Sequence, residues 1–192
     1  MSIKHSLFLS FDVEADGECP GINSLLSVGF AGFTKTGEIV FEYEANIKPL
    51  PDCTQNANTM AWWNKPEQQE AYKYVCSNQQ DAKNVFTELN DKLLKLKDQY
   101  NIFPVAWPAN YDWQWIHYYF HRFVGSNPLG FSARCIASYA WGMMKTTNPK
   151  ERINFEPFVD PRFKHTHKAL DDAKEQGAML INMLKTNVST KD

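Results

Sequence analysis

Apolar and polar residues alternate from the start of the chain. Over residues 6–14, Leu7, Leu9, Phe11 and Val13 fall on one side, and Phe8, Ser10, Asp12 and Glu14 on the other. That two-residue period predicts a β-strand. Residues 24–33 (SLLSVGFAGF) and 38–48 (EIVFEYEANIK) predict two more strands, with a hairpin turn at Thr36-Gly37. The chain therefore opens on a three-stranded meander. Residues 59–76 are expected to be helical in part, with Pro66 either starting or breaking a helix. The period then changes: Val85, Leu89, Leu93 and Leu96 recur at three- and four-residue spacing and predict a helix over 80–99. Ile102 to Trp107 predicts a short buried strand. Asp112 to Val124 predicts a helix with Trp113, Ile116, Phe120 and Phe123 on one face. A further helix is expected around 136–144, irregular chain over 145–165, and a last helix from about Thr166 to Leu184. This order predicts a single α/β domain over residues 1–186, a mixed sheet covered by helices, followed by a frayed polar tail at 187–192.

Composition narrows the classes. With 43% hydrophobic and 22% charged residues, the 192-residue chain is expected to be globular. Its formal net charge of −2 argues against a protein that coats a duplex. It leaves room for an enzyme that grips one chain end and takes positive charge from bound metal. No signal peptide is evident, and no stretch approaches the ~20 apolar residues of a membrane helix, so an intracellular, cytoplasmic protein with no membrane role is expected. Cys19, Cys53, Cys76 and Cys135 form no Cys-x-x-Cys pair. That argues against zinc and for free thiols in a reducing compartment.

Three polar features carry candidate chemistry. Asp12 and Glu14 share one face of the first strand, roughly 6–7 Å apart, near the strand's C-terminal end, a common position for sites in α/β folds. Two acids so placed repel unless a cation lies between them. Asp112 follows a buried strand and opens an amphipathic helix, where it could equally serve as a first-turn acid favoured by the helix dipole. The third feature is His167-Lys168-Ala169-Leu170-Asp171-Asp172-Ala173. At ~100° per residue, Ala169, Ala173, Gln176, Gly177, Leu180 and Leu184 form one face. Asp172 lies on its flank and Asp171 almost opposite, so Asp172 is expected to face the sheet and Asp171 the solvent. Asp171 is the alternative if the register differs. Small residues at four-residue spacing allow this helix to pack close. Asp16 and Glu18 read as loop acids, and His117, His121 and Arg122 as a solvated helix face.

In combination, D-x-E on the first strand, an aspartate opening a central helix and H-x-A-x-x-D-A on the last helix resemble the three motifs of the DEDD (DnaQ-like) 3′-5′ exonucleases, in their histidine-containing DEDDh branch. The resemblance runs from Leu7 to Leu184. It implies an RNase H-like fold, in which the antiparallel meander is joined by parallel strands and flanked by α-helices. It implies two divalent ions, Mg²⁺ or Mn²⁺, held by Asp12, Glu14, Asp112 and Asp172, with His167 as general base. The implied reaction is hydrolysis of phosphodiester bonds from the 3′ end of single-stranded DNA or RNA, releasing nucleoside monophosphates. In similar enzymes the segment equivalent to Met60, Trp62 and Trp63 often borders the nucleotide pocket, so these three are candidate substrate contacts; the alternative is that one of the tryptophans is simply core. The resemblance also allows a homodimer. A non-catalytic nucleic-acid-binding module would be expected to have lost some of the five residues, and all five are present. A polymerase-dependent proofreading subunit is the other alternative. The chain stops soon after its last helix, which favours a stand-alone enzyme. A two-carboxylate glycosidase would leave His167 and Asp172 unexplained.

Overall fold

The computed structural model describes residues 4–145 and 155–188. Five strands form one mixed sheet: β1 (His5–Ala15), β2 (Leu25–Thr34), β3 (Ile39–Asn46), β4 (Tyr100–Ala106) and β5 (Arg134–Cys135), in the spatial order β3-β2-β1-β4-β5. β1, β2 and β3 pair antiparallel, while β4 pairs parallel to β1 and to β5. The expected mixed sheet is thus present. Its parallel half is connected through α3 (Ala82–Gln99) and α4 (Ala109–Val124), as crossover geometry requires.

Helices cover both faces. Leu7, Leu9, Phe11 and Val13 of β1 are buried against Val85, Phe86, Leu89 and Leu93 of α3 and Trp115, Ile116 and Tyr119 of α4. The other face packs on α6 (Ala169–Val188), with Phe33, Ala173 and Ile181 in contact, and on α5 (Ile136–Met144). Between β3 and α3, α1 (Ala57–Trp63), a 3₁₀ turn over Pro66–Gln68 and α2 (Gln69–Val75) form a short helical hairpin. Pro66 opens that turn, where its missing N–H costs nothing.

Two helices differ from the sequence reading. The buried residues of α4 are Ala109, Asp112, Trp115, Ile116, Tyr119 and Phe120, while Trp113 and Phe123 sit at the edge of the core. The helix also starts three residues earlier than expected. The contact with β1 and α3 centres its stripe on 112, 116 and 119, so Asp112 lies on the buried face. The last helix begins at Ala169, not Thr166, because the Asp172 carboxylate binds the backbone N–H groups of Thr166 and His167 and fixes a turn there. Part of the irregular stretch expected over 145–165, residues 146–154, lies outside the described residues, as do the tail residues 189–192.

Candidate active site

The pairing register explains where the acids gather. β1 pairs with β4 only as far as Ser10↔Val105, whereas its pairing with β2 runs on to Ala15. Asp12 and Glu14 therefore lie on a stretch of β1 that has lost its parallel neighbour. The chain leaves β4 and turns back into α4, whose first turn fills the gap. The Val13 N–H, deprived of a β4 carbonyl, donates instead to Asp112 Oδ1 at 3.3 Å. The other oxygen, Asp112 Oδ2, is buried with no hydrogen-bond partner.

The fourth acid arrives from the opposite layer. Gly29 of β2 pairs with Asp12, and a Cβ built there would meet the Ala169 carbonyl carbon and Leu170 nitrogen at 2.2 Å. Only a glycine permits α6 to press onto the sheet at this point. Further along, a Cβ on Gly177 would meet Phe33 at 2.4 Å and Ser10 at 2.8 Å. These two contacts lay the helix flat on β1 and β2 and bring Asp172 to Asp12 and Glu14. One carboxylate oxygen from each of these three acids falls within 4.8 Å of the others. Gln176, one turn on, donates to Asp12 Oδ1 at 3.1 Å and to the Phe11 carbonyl at 3.3 Å.

The electrostatics are governed first by burial and then, at Asp12 and Glu14, by neighbouring like charges. Burial, then the charges of Asp112, Glu14 and Asp172, raise the Asp12 pKa well above the usual carboxylate range. Burial and the charges of Asp172 and Asp112 do the same to Glu14. Asp112 is pushed up to about 8 by burial, against the lowering effect of the Val13 N–H. Asp172 rises to about 6 from burial, opposed by the Thr166 and His167 N–H bonds of 2.7 and 3.0 Å. Four carboxylates, one with an orphaned buried oxygen, form a hard-oxygen donor set suited to a divalent cation.

His167 lies just outside α6, in the left-handed region at φ 56°, which an L-residue adopts only when its surroundings hold it there. Flanking contacts supply that hold. Lys168 stands 3.6 Å from Glu70 and 4.9 Å over the Tyr74 ring. Tyr74 Oη donates to Glu44, which also accepts the Leu170 N–H. Trp62 meets the His167 ring edge-on at 5.0 Å between centroids. Partial burial, and the nearby His165, hold the His167 pKa below its ordinary value, so the ring is neutral at neutral pH.

The other candidates are placed as follows. Met60 and Trp62 keep partly exposed surfaces. Trp63 does not: it is 1% exposed, packs with Leu26, Ala71 and Val75, and donates from Nε1 to the Ala15 carbonyl. It forms the floor beneath Trp62 and offers no face to a ligand. Asp16 lies in the loop after β1, as expected, and is buried there, accepting the Ser24 N–H at 2.6 Å. Asp171 accepts from the Thr166 hydroxyl. Arg122 is engaged by Asp52. Gly29, His165 and the Glu44–Tyr74 pair carry no local sequence motif, and the bond from Gln176 to Asp12 depends on how α6 seats on the sheet. A cavity of about 270 Å³ opens beside the acids, lined by Asp12, Trp107, His165, Asp172, Glu175, Gln176 and Met179.

Comparison with known proteins gives this geometry a lineage. The model of the 3′-5′ exoribonuclease Rv2179c-like domain matches residues 8–184, a span that holds all four acids and His167. The chain belongs to this family. It is a 3′-5′ exonuclease, a hydrolase acting on nucleic acid. The exonuclease is 28% identical over 181 residues to the 3′-5′ DNA exonuclease Cap18 of Escherichia coli, an alignment covering 93% of this chain and 92% of the relative. Its fold matches the nuclease domain of 3′hExo, a DEDDh family member solved with rAMP, at a TM-score of 0.66 and 13% identity, over 97% of this chain and 95% of that one. It also matches E. coli Exonuclease I solved with a dA16 oligonucleotide, at a TM-score of 0.63 and 15% identity, over 94% of this chain and 41% of that larger one. Among the described residues, no helix is long and apolar enough to cross a membrane, and all four cysteines are free.

Proposed function

We propose that this exonuclease shortens single-stranded DNA or RNA from the 3′ end, releasing nucleoside monophosphates, with Asp12, Glu14, Asp112 and Asp172 holding two Mg²⁺ or Mn²⁺ ions. The observation that carries the reading is the convergence of Asp12, Glu14 and Asp172 from β1 and α6, beside Asp112 of α4, whose charge acts on Asp12 and Glu14 and whose buried Oδ2 is left without a partner. An unpaired buried acceptor among like charges is costly unless a cation satisfies it. When bound, the ions supply charge neutralisation of the phosphate and an acidified water.

The chain's own residues do the rest. Asp172 has one lone pair on each oxygen engaged by a backbone N–H, which fixes the carboxylate plane. Gln176 orients Asp12 in the same way. His167, neutral at neutral pH, accepts the proton of the attacking water, and its fixed φ keeps the ring beside Asp172. Trp62 presents a partly exposed ring next to His167, and Met60 lies two residues before it; they stack against the terminal base, a contact worth ~1–3 kcal/mol per base. Trp63 supports that surface from below. Cap18 acts on DNA by its description and the family model is of an exoribonuclease, so both sugars are included.

The test uses 5′-labelled single-stranded DNA and RNA oligomers with Mg²⁺, Mn²⁺ or chelator, beside Asp12→Ala. A ladder shortening from the 3′ end, dependent on metal and absent in the variant, is the expected result. Near-normal turnover by Asp12→Ala would overturn the ligand assignment.

A further inference from the structure

His165 has no part in the chemistry assigned above, yet it stands at the mouth of the same cavity. Its Nδ1 lies 3.3 Å from Asp172 Oδ2 and 3.2 Å from Glu175 Oε2. A ring nitrogen carries at most one proton, so a single N–H cannot serve both oxygens in full. Two carboxylates converging on one imidazole nitrogen leave room for a cation in place of that proton. The His167 ring stands 4.5 Å from that of His165, turned by 80°. One ligand atom each from His165, His167 and Asp172 falls within 4.8 Å of the others.

This donor set differs in kind from the catalytic one. The catalytic cluster is all oxygen, which suits hard ions. Here two imidazoles join two carboxylates, the mixture that zinc takes in tetrahedral sites with bonds of ~2.0–2.1 Å. Ligand atoms at the corners of such a tetrahedron lie ~3.3 Å apart, close to the two contacts His165 already makes. The His165 side chain is 56% exposed, so it can make the remaining adjustment without disturbing the core, and an ion can reach it from solution. No cysteine is needed.

We propose that His165, His167, Asp172 and Glu175 form a second cation site, selective for zinc or a similar transition metal, that switches the exonuclease off. Zinc held there occupies the His167 lone pair that otherwise accepts a proton, and engages an Asp172 oxygen. Imidazole ligands favour zinc over magnesium, so a small amount of zinc acts against a large excess of magnesium. The inhibitory half of the proposal rests on the roles given above to His167 and Asp172. The binding half does not.

The experiment takes the full chain, His165→Gln and Glu175→Gln, and measures two things. Zinc affinity is read without substrate, by competition with a chromophoric chelator in excess Mg²⁺. Exonuclease activity in Mg²⁺ is then titrated with zinc. The unaltered chain is expected to bind zinc and lose activity in parallel. Each variant is expected to keep its Mg²⁺-supported activity while binding zinc at least ~10-fold more weakly, with inhibition shifted by the same factor. Cobalt(II) adds a spectroscopic check: the visible absorption of a low-coordinate site should be present in the unaltered chain and lost in His165→Gln. Equal zinc affinity and inhibition in His165→Gln would overturn the site, because zinc would then sit on the carboxylates alone. Absence of zinc binding to the unaltered chain would also overturn it. Zinc binding through His165 without loss of activity would refute the switch. Failure of the general-base reading shows separately, as unimpaired Mg²⁺-supported turnover by His167→Ala.

Discussion

Substituting Gly29 by alanine tests whether the close seat of α6 on the sheet assembles the active site. Gly29 pairs with Asp12, and an added Cβ would stand 2.2 Å from the Ala169 carbonyl carbon and the Leu170 nitrogen. Non-bonded carbons settle ~3.5–4.0 Å apart, so the helix start must retreat by roughly 1.3–1.8 Å. The atoms met are backbone, and α6 is anchored further along where Gly177 lies against Phe33 and Ser10, so no flexible side chain absorbs the shift. Overpacking of this kind costs ~1–3 kcal/mol, and in a domain of this size each kcal/mol lowers the melting temperature by about 2–4 °C. The same displacement carries Asp172 and His167 away from Asp12 and Glu14. A misplacement of ~1 Å can cost ~10²-fold in rate. The expected outcome of Gly29→Ala is a folded protein, a few degrees less stable by thermal melting followed by circular dichroism. Its turnover on a 5′-labelled oligomer should fall far more than its stability. A variant with unchanged melting and unchanged turnover would refute the argument that this contact places the fourth acid.

Three further outcomes are expected. In the metal-free protein Asp112 is raised to about 8 and Asp172 to about 6, so the folded state keeps protons that the unfolded chain has released. This contribution to stability is complete below about pH 4 and is lost as pH rises through 6 to 8. Melting in chelator should therefore fall from about pH 5 to about pH 8, and Mg²⁺ or Mn²⁺ should restore it at the upper end; a metal-free melting temperature that climbs over this range would contradict the burial of these two acids. His167→Ala should lower kcat by ~10²–10⁴ with little change in KM, and a rise in KM alone would reassign the residue to binding. Trp62→Ala should raise KM by an amount equivalent to ~1–3 kcal/mol with melting unaltered, whereas Trp63→Ala should lose ~3–5 kcal/mol of stability, which denaturant titration would separate.

Much of this protein follows from local pattern. Alternation in residues 6–14 fixes β1 and the shared face of Asp12 and Glu14, since side chains on a strand can only repeat every two residues. Helical spacing fixes α3, and the angular position of Asp172 relative to Ala173 and Gly177 places it on the inner flank of α6, where it is found 3% exposed. The apolar stripe of α4 is harder to read, because seven of the eleven positions from Trp113 to Phe123 are aromatic or aliphatic. Spacing from Asp112 through Trp115, Ile116, Tyr119 and Phe120 is the pattern that burial follows, and only contact with β1 and α3 distinguishes it from its neighbour. The division of labour between Trp62 and Trp63 likewise has no local signature. Adjacent residues on a short helix point in different directions, and the fold decides which faces the core.

The remainder belongs to tertiary structure, because it depends on residues far apart in sequence. Glycine at position 29 reads as one more small residue in a strand, until α6 is laid across it. The Val13 N–H reaches Asp112 only because β4 stops pairing at Val105. His165 is an ordinary exposed histidine in sequence; its meeting with Asp172 and Glu175 requires the turn that Asp172 itself caps. Sequence determined which chemical groups this chain carries and which face of each element bears them. Close packing between layers determined which groups meet, since side-chain and backbone atoms from elements over a hundred residues apart must share the same few ångströms.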